Sequence, residues 1–261
     1  LNSVQTSQVI NFIFQYAFPI AIGFYLFGLV SYLCHRPKIS FCFFLIGFIS
    51  HTLFQISRGL SLDIWLINPV FDANYFLPWS MAAICLMMRF FSKNEENQAI
   101  IHSMIIPVCF FSTLGLFLPR GIIPPGPQHQ TILVSVYYSI DIIAQACFLL
   151  GAWFAFFHLR GKDQDKLFNS LIAAGFIFYS ISQVVGAYWA YLGWSLPMHW
   201  SAKHLQSASI WCYYAAVLHL RYFPSWNSKH ESWFALGGAT LLLVFNYSAQ
   251  LSAFSFPKIG G

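Results

Sequence analysis

The chain predicts an all-α polytopic membrane protein with eight transmembrane helices and both termini outside, and three observations carry that expectation. Charged residues make up 8% of the 261 residues and hydrophobic residues 58%, where soluble domains carry roughly 25% charged residues. Apolar stretches recur at close to the 20 or so residues that an α-helix needs to cross a hydrocarbon core of about 30 Å. The breaks between them are short and polar. A soluble enzyme, a disordered chain, a nucleic-acid binder and an extracellular disulfide scaffold are all excluded by this balance, and the net charge of +5 reads as a membrane topology signal.

Taken in order, the expected spans cover residues 8 to 33, 39 to 57, 74 to 92, 99 to 118, 131 to 159, 168 to 190, 204 to 222 and 232 to 252. The first ends at Cys34-His35-Arg36-Pro37-Lys38, the third at Lys93-Asn94-Glu95-Glu96 and the fourth at the stretch from Pro119 to Gln130. Arg160 through Lys166 closes the fifth, and Pro224 through His230 separates the last two. These intervals are too short to hold another domain, so residues 1 to 261 are expected to form a single transmembrane helical bundle. If successive spans alternate, one side holds Arg36, Lys38, Arg89, Lys93, Arg160, Lys162, Lys166, Arg221 and Lys229. The other holds only Arg58, Arg120, Lys203 and Lys258. The positive-inside rule then places the first set in the cytoplasm and both termini outside.

The six cysteines, Cys34, Cys42, Cys85, Cys109, Cys147 and Cys212, stand alone in or beside apolar runs and read as buried small hydrophobes. No C-x-x-C-H motif is present, so the chain offers no covalent c-type haem attachment site of its own. No removable signal peptide is visible at the start.

Ionisable groups inside spans are costly and therefore functional candidates. Here they are His51, His102, Asp141, His158 and His219. Each histidine alone reads as a hydrogen-bonded interior residue, but two neutral imidazoles facing each other from different helices are a means of holding a b-type haem. Asp141 reads as a hydrogen-bonded structural carboxylate or as a proton-accepting group near a quinone or haem propionate.

Residues 186 to 221, GAYWAYLGWSLPMHWSAKHLQSASIWCYYAAVLHLR, form a tryptophan-rich stretch with Trp189, Trp194, Trp200 and Trp211, closing on His219 and Arg221. A second stretch runs Gly47-Phe48, His51-Thr52-Leu53 and Arg58, then Phe71-Asp72-Ala73, Phe76 and Trp79. Fainter ones are Phe148-Leu149-Leu150-Gly151 and Leu251-Ser252-Ala253. Together they resemble the haem-handling cytochrome c assembly family, with residues 186 to 211 as its outer-face WWD-like segment.

The resemblance implies a b-type haem, non-covalent and bis-His, ligated within the membrane by His51 and His219, with Arg58, Trp189, Trp194 and Trp200 among the haem-binding residues. It also implies a second histidine pair, which would present haem on the outer face. There this chain departs from the family. Tyr137 stands where one of those histidines belongs, no histidine follows His230, and the Trp-Asp-Pro-Lys-Glu core has become Trp200-Ser201-Ala202-Lys203-His204. Tyr137 is a substitute ligand in one reading, and His129, His199 and His204 form a relocated outer site in another. His219 lies only two residues before Arg221, so His102 and His158 are the replacement partners for His51 if span 7 ends there.

Two functions follow as expectations. The first is haem handling in cytochrome c maturation, with a degraded presentation site that leaves the chain short of a complete cytochrome c synthase. The second is a repurposed b-haem electron-transfer subunit of a respiratory complex, passing electrons from quinol or haem to an outer-face cytochrome. A haem-free scaffold on the same fold is a third. The expected partners are haem, a c-type cytochrome or apocytochrome at the outer face, and other respiratory membrane subunits, with no nucleic acid. The expected location is the bacterial inner (cytoplasmic) membrane or its plastid thylakoid equivalent.

Overall fold

The computed structural model describes residues 2–62, 73–92, 95–117, 131–161, 165–198 and 201–253, and every regular element among them is an α-helix. The helices are α1 (Asn2–Leu33), α2 (Pro37–Leu62), α3 (Ala73–Phe91), α4 (Glu95–His102), α5 (Ile105–Leu116), α6 (Ile132–Leu159), α7 (Asp165–Trp194), α8 (Ala202–Leu220) and α9 (Ser228–Ala253).

The all-α class holds, but the expectation of eight membrane spans does not. Among the described residues, four helical segments are long and apolar enough to cross a membrane: Gln15–Leu33, Pro37–Ser61, Ile132–Leu159 and Leu167–Trp194. The run expected as span 4 is broken in two. Ser103 and Met104 bond back to the carbonyls of Ile100 and Ile101, three residues away rather than four, and Ile106 bonds to Ser103. Pro107 has no N–H with which to continue the ladder, so the run yields α4 and the short apolar α5. Helices α3, α8 and α9 form where spans 3, 7 and 8 were expected, but polar residues dilute them: Asn74 and Arg89 in α3, Lys203, His204 and Gln206 in α8, Lys229, His230 and Glu231 in α9. The alternation of eight spans that assigned inner and outer faces falls with this count.

The chain divides into two compact units, residues 1–146 and 147–261. In the first, α1 ends in a left-handed turn. His35 has φ of 56°, the Arg36 amide reaches back to Ser31 O and Pro37 opens α2, the helix-end geometry that usually calls for glycine. Helices α1 and α2 then pack along their length. Ser40 Oγ donates to Gly28 O at 2.6 Å and Ser50 Oγ to Ala17 O at 2.9 Å, and Tyr25 lies against Gly47. As one number rises the other falls, so the pair is antiparallel. Small residues permit the approach: a Cβ on Gly47 would stand 2.8 Å from the Tyr25 ring, and one on Gly28 would stand 3.2 Å from Ser40 O.

Helix α2 is amphipathic in the inverted sense that lipid demands. Ile46, Ile49, Leu53, Ile56 and Leu60 are exposed, whereas Ser40, Phe44, His51, Gln55 and Arg58 are buried. Its polar stripe faces protein and its aliphatic stripe faces outward. Helix α3 is clamped to it by Trp79, whose indole N–H donates to Thr52 Oγ1 at 2.9 Å while Thr52 donates to Phe48 O.

The second unit joins α7, α8 and α9. Trp211 Nε1 donates to Ser180 Oγ at 3.0 Å, Tyr179 Oη to Ser207 O at 3.3 Å, and Arg221 Nη2 to Asn169 Oδ1 at 2.7 Å, so α7 and α8 are antiparallel. Tyr213 Oη donates to Phe234 O of α9, against which Gly237 and Gly238 leave room for the tyrosine rings. Tyr214 stacks flat on Phe148 with ring centroids 3.6 Å apart.

Candidate functional site

His51 sits at the centre of the buried stripe of α2, with no solvent exposure. The Phe18 ring meets it edge-on at 5.2 Å, with Tyr25 and Phe54 at 6.1 and 6.3 Å. Its Nδ1 stands 3.4 Å from Tyr25 Oη, a long hydrogen bond whose direction depends on the tautomer. The Nε2 atom is sealed from solvent and has no hydrogen bond of normal geometry, although the Tyr75 main chain passes close by. Most buried polar atoms are hydrogen-bonded, and one left alone costs about 1–3 kcal/mol. One turn further along α2, Gln55 is 2% exposed, and neither its amide nitrogen nor its oxygen has a hydrogen-bond partner among the described residues. Arg58 follows on the same face, also 2% exposed, with its guanidinium carbon 5.2 Å from the Tyr75 ring centroid.

His219 occupies the last turn of α8 in the other unit and is exposed. Its Nδ1 lies 2.7 Å from Ala215 O. A carbonyl only accepts, so Nδ1 of the neutral ring carries the proton and Nε2 presents its lone pair. Metal-binding histidines are ordinarily oriented by a hydrogen bond of this kind. The register of α8 that places this ring is fixed by Trp211, Tyr214 and Arg221, the last also 3.7 Å from Glu231.

The two alternative histidines are committed elsewhere. His102 Nε2 is 2.7 Å from Ser40 Oγ. Because Ser40 spends its proton on Gly28 O, the histidine must be the donor, and its Nε2 has no lone pair to offer. His158 Nε2 is 2.8 Å from Ser228 Oγ. The pair ties α6 to α9.

Of the remaining candidates, Trp189 and Trp194 meet edge to face at 5.1 Å near the end of α7, with Trp194 exposed. Tyr137 is half-buried in α6 against Tyr138, their rings 4.7 Å apart. Asp141 accepts a 2.6 Å hydrogen bond from Gln145 one turn along α6. His204 Nδ1 lies 2.8 Å from Ser201 Oγ at the start of α8. Trp200, His129 and His199 lie outside the described residues. No group of three or more His, Cys, Asp or Glu able to hold a metal occurs among the described residues.

Tyr25 and Gln55 escaped the sequence reading. The signal for Gln55 was its spacing, one turn from His51 on a face otherwise aromatic. Tyr25 had no signal, because its proximity to His51 depends on the register of α1 against α2.

These features define an all-α membrane protein with imidazoles among the buried polar groups of its helices. Residues 67–254 match the family model described as cytochrome C assembly protein, a span that includes Tyr137, Trp189, Trp194, Trp200 and His219. The chain belongs to that family, and is an integral membrane protein. It is similar to the cytochrome c biogenesis protein CcsA of Prochlorococcus marinus strain MIT 9312, at 20% identity over 68% of this chain and 70% of that protein. The CcsA of strain AS9601 is 29% identical over 68% and 70%. That of the pastoris subspecies is 28% identical over 72% and 73%.

Proposed function

We propose that the protein handles haem for cytochrome c maturation, and that His51 and His219 are the residues that would hold a non-covalent b-type haem. One observation carries this reading. Of the four histidines weighed as ligands, His102 and His158 have their Nε2 atoms hydrogen-bonded to serines, whereas His51 Nε2 is sealed from solvent without a hydrogen bond of normal geometry and His219 turns Nδ1, not Nε2, to a carbonyl. An imidazole nitrogen that is both buried and without a hydrogen bond fits an iron ligand.

When bound, the haem supplies a redox-active iron and the vinyl groups to which cytochrome thiols add. The chain's own residues orient and shield. Ala215 O fixes the tautomer of His219, and Tyr25 faces the distal nitrogen of His51. The Phe18, Phe54 and Tyr75 rings exclude water from the buried imidazole. Trp189 and Trp194 belong to the surface that meets an apocytochrome c, and Trp200 is assigned to the same segment. The setting is the bacterial inner membrane or the thylakoid equivalent.

A second reading rests on Tyr137, which stands in place of a presentation histidine. A chain without that ligand is an incomplete synthase, and a permanently held haem would make it an electron-transfer subunit of a respiratory complex. A reduced-minus-oxidised spectrum with a pyridine haemochrome assay on gently purified protein, repeated for His51→Ala and His219→Ala, tests both. A low-spin b haem lost in each variant is expected. A reversible, stoichiometric haem favours the second reading, and a wild type that takes up no haem overturns both.

A further inference from the structure

We propose that Gln55 is a haem-binding residue, its carboxamide N–H₂ donating a hydrogen bond to a haem propionate. The inference rests on the haem reading above and extends it to a residue that neither the tryptophan-rich segment nor the histidine pair points to. Gln55 is 2% exposed, and among the described residues neither polar atom of its amide has a hydrogen-bond partner. A glutamine in that position weakens the fold. A buried amide without a hydrogen bond costs free energy that an apolar side chain of similar shape does not. Among the described residues nothing is matched to its side chain.

Its neighbours on the helix indicate what would match it. His51, Gln55 and Arg58 stand at spacings of four and three, on one buried face of α2. Along that face lie an imidazole whose Nε2 has no normal hydrogen bond, a neutral amide donor and a cation, in that order. From residue 51 to 55 the helix rises about 6 Å, and to 58 about 10 Å. A ligand with a nitrogen-seeking metal at its centre and carboxylates at one edge meets all three in sequence. A small apolar ligand would give the amide no hydrogen bond, and a quinone would offer the imidazole nitrogen no metal. Because the amide is neutral, it can donate to a carboxylate with no charge of its own to bury, and the Arg58 guanidinium supplies the compensating charge.

The test is Gln55→Met, which keeps volume and removes the donor. Haem-free protein is measured by thermal denaturation. Reconstituted protein is titrated with haem, and with an iron porphyrin bearing alkyl groups in place of the propionates. The expected result is a haem-free melting temperature unchanged or raised, with haem binding at least about tenfold weaker, the loss of one charge-assisted hydrogen bond. The alkyl porphyrin should bind both proteins equally. A variant that melts lower without haem would assign Gln55 to the fold and overturn the proposal, as would equal haem affinity, or an equal penalty with both porphyrins. A wild type that binds no haem overturns the underlying reading as well, and is distinguished by the wild-type titration alone.

Discussion

His51 and His219 are the same side chain in opposite circumstances. His51 is mid-helix, fully buried, ringed by aromatics and steered by a tyrosine hydroxyl at 3.4 Å. His219 is at a helix end, exposed, and steered by a carbonyl of its own helix at 2.7 Å. The first depends on tertiary packing for its orientation, because Tyr25 reaches it only through the close approach of α1 at Gly47. The second carries its orienting group four residues back in sequence. One imidazole is thus oriented by the fold and the other by local helix geometry, and perturbing the fold should affect them unequally.

The largest expected difference is in stability. His51→Ala removes a ring from a packed interior and should cost about 2–5 kcal/mol, whereas His219→Ala at an exposed helix end should stay within about 0.5 kcal/mol. Both should abolish bound haem. Denaturant melts beside haemochrome titration measure the two effects, and equal destabilisation would break the contrast.

Next comes the glycine that makes the His51 site. Gly47→Ala drives a methyl group to 2.8 Å from the Tyr25 ring and should destabilise by about 1–3 kcal/mol. At Gly23 a Cβ meets nothing within 4 Å, so Gly23→Ala should be neutral or stabilise by up to about 1 kcal/mol. Opposite signs in one melting experiment sharpen the case that space beside His51, and not helix propensity, sets the cost.

A smaller pair compares the units through their indoles. Trp79→Phe removes a part-buried donor to Thr52, and should cost about 0.5–1.5 kcal/mol. Trp211→Phe removes a more exposed one to Ser180 and should cost less. A larger loss at Trp211 would place more of the stability in the joint of α7 and α8 than in that of α2 and α3. The smallest expected stability effect is Tyr25→Phe, under about 1 kcal/mol for so long a hydrogen bond. Its diagnostic readout is the midpoint potential of the bound haem, which should shift in Tyr25→Phe and stay put in a control such as Trp79→Phe.

Much of the helical layout was legible from apolar runs. The expected spans 39 to 57 and 168 to 190 lie inside α2 and α7, the span 131 to 159 begins one residue before α6, and the polar run around Pro37 marks the turn between α1 and α2. The eight-span count failed where hydrophobicity and helix continuity part company. Residues 99 to 118 are apolar throughout, yet Pro107 interrupts the ladder, and in α8 and α9 composition near the helix starts is too polar. The candidate histidines could be named from sequence, since imidazoles in apolar runs are conspicuous. Which nitrogen each has free could not, because it depends on Ser40 meeting His102 across 62 residues and Ser228 meeting His158 across 70. Gln55 was overlooked because an amide one turn from a histidine becomes unusual only when it is seen buried with no partner among the described residues.

The Ser40 and His102 contact carries a warning for chemical profiling. A serine hydroxyl 2.7 Å from a histidine nitrogen, buried within a protein, matches on distance alone the nucleophile and base of a hydrolase. The proton runs the wrong way. Ser40 gives its only hydrogen to Gly28 O, and His102 donates where a base would have to accept, so neither atom is prepared to attack a carbonyl. Serine-directed fluorophosphonate probes should leave this protein unlabelled, and the pair is best understood as a latch fastening α4 to the first turn of α2.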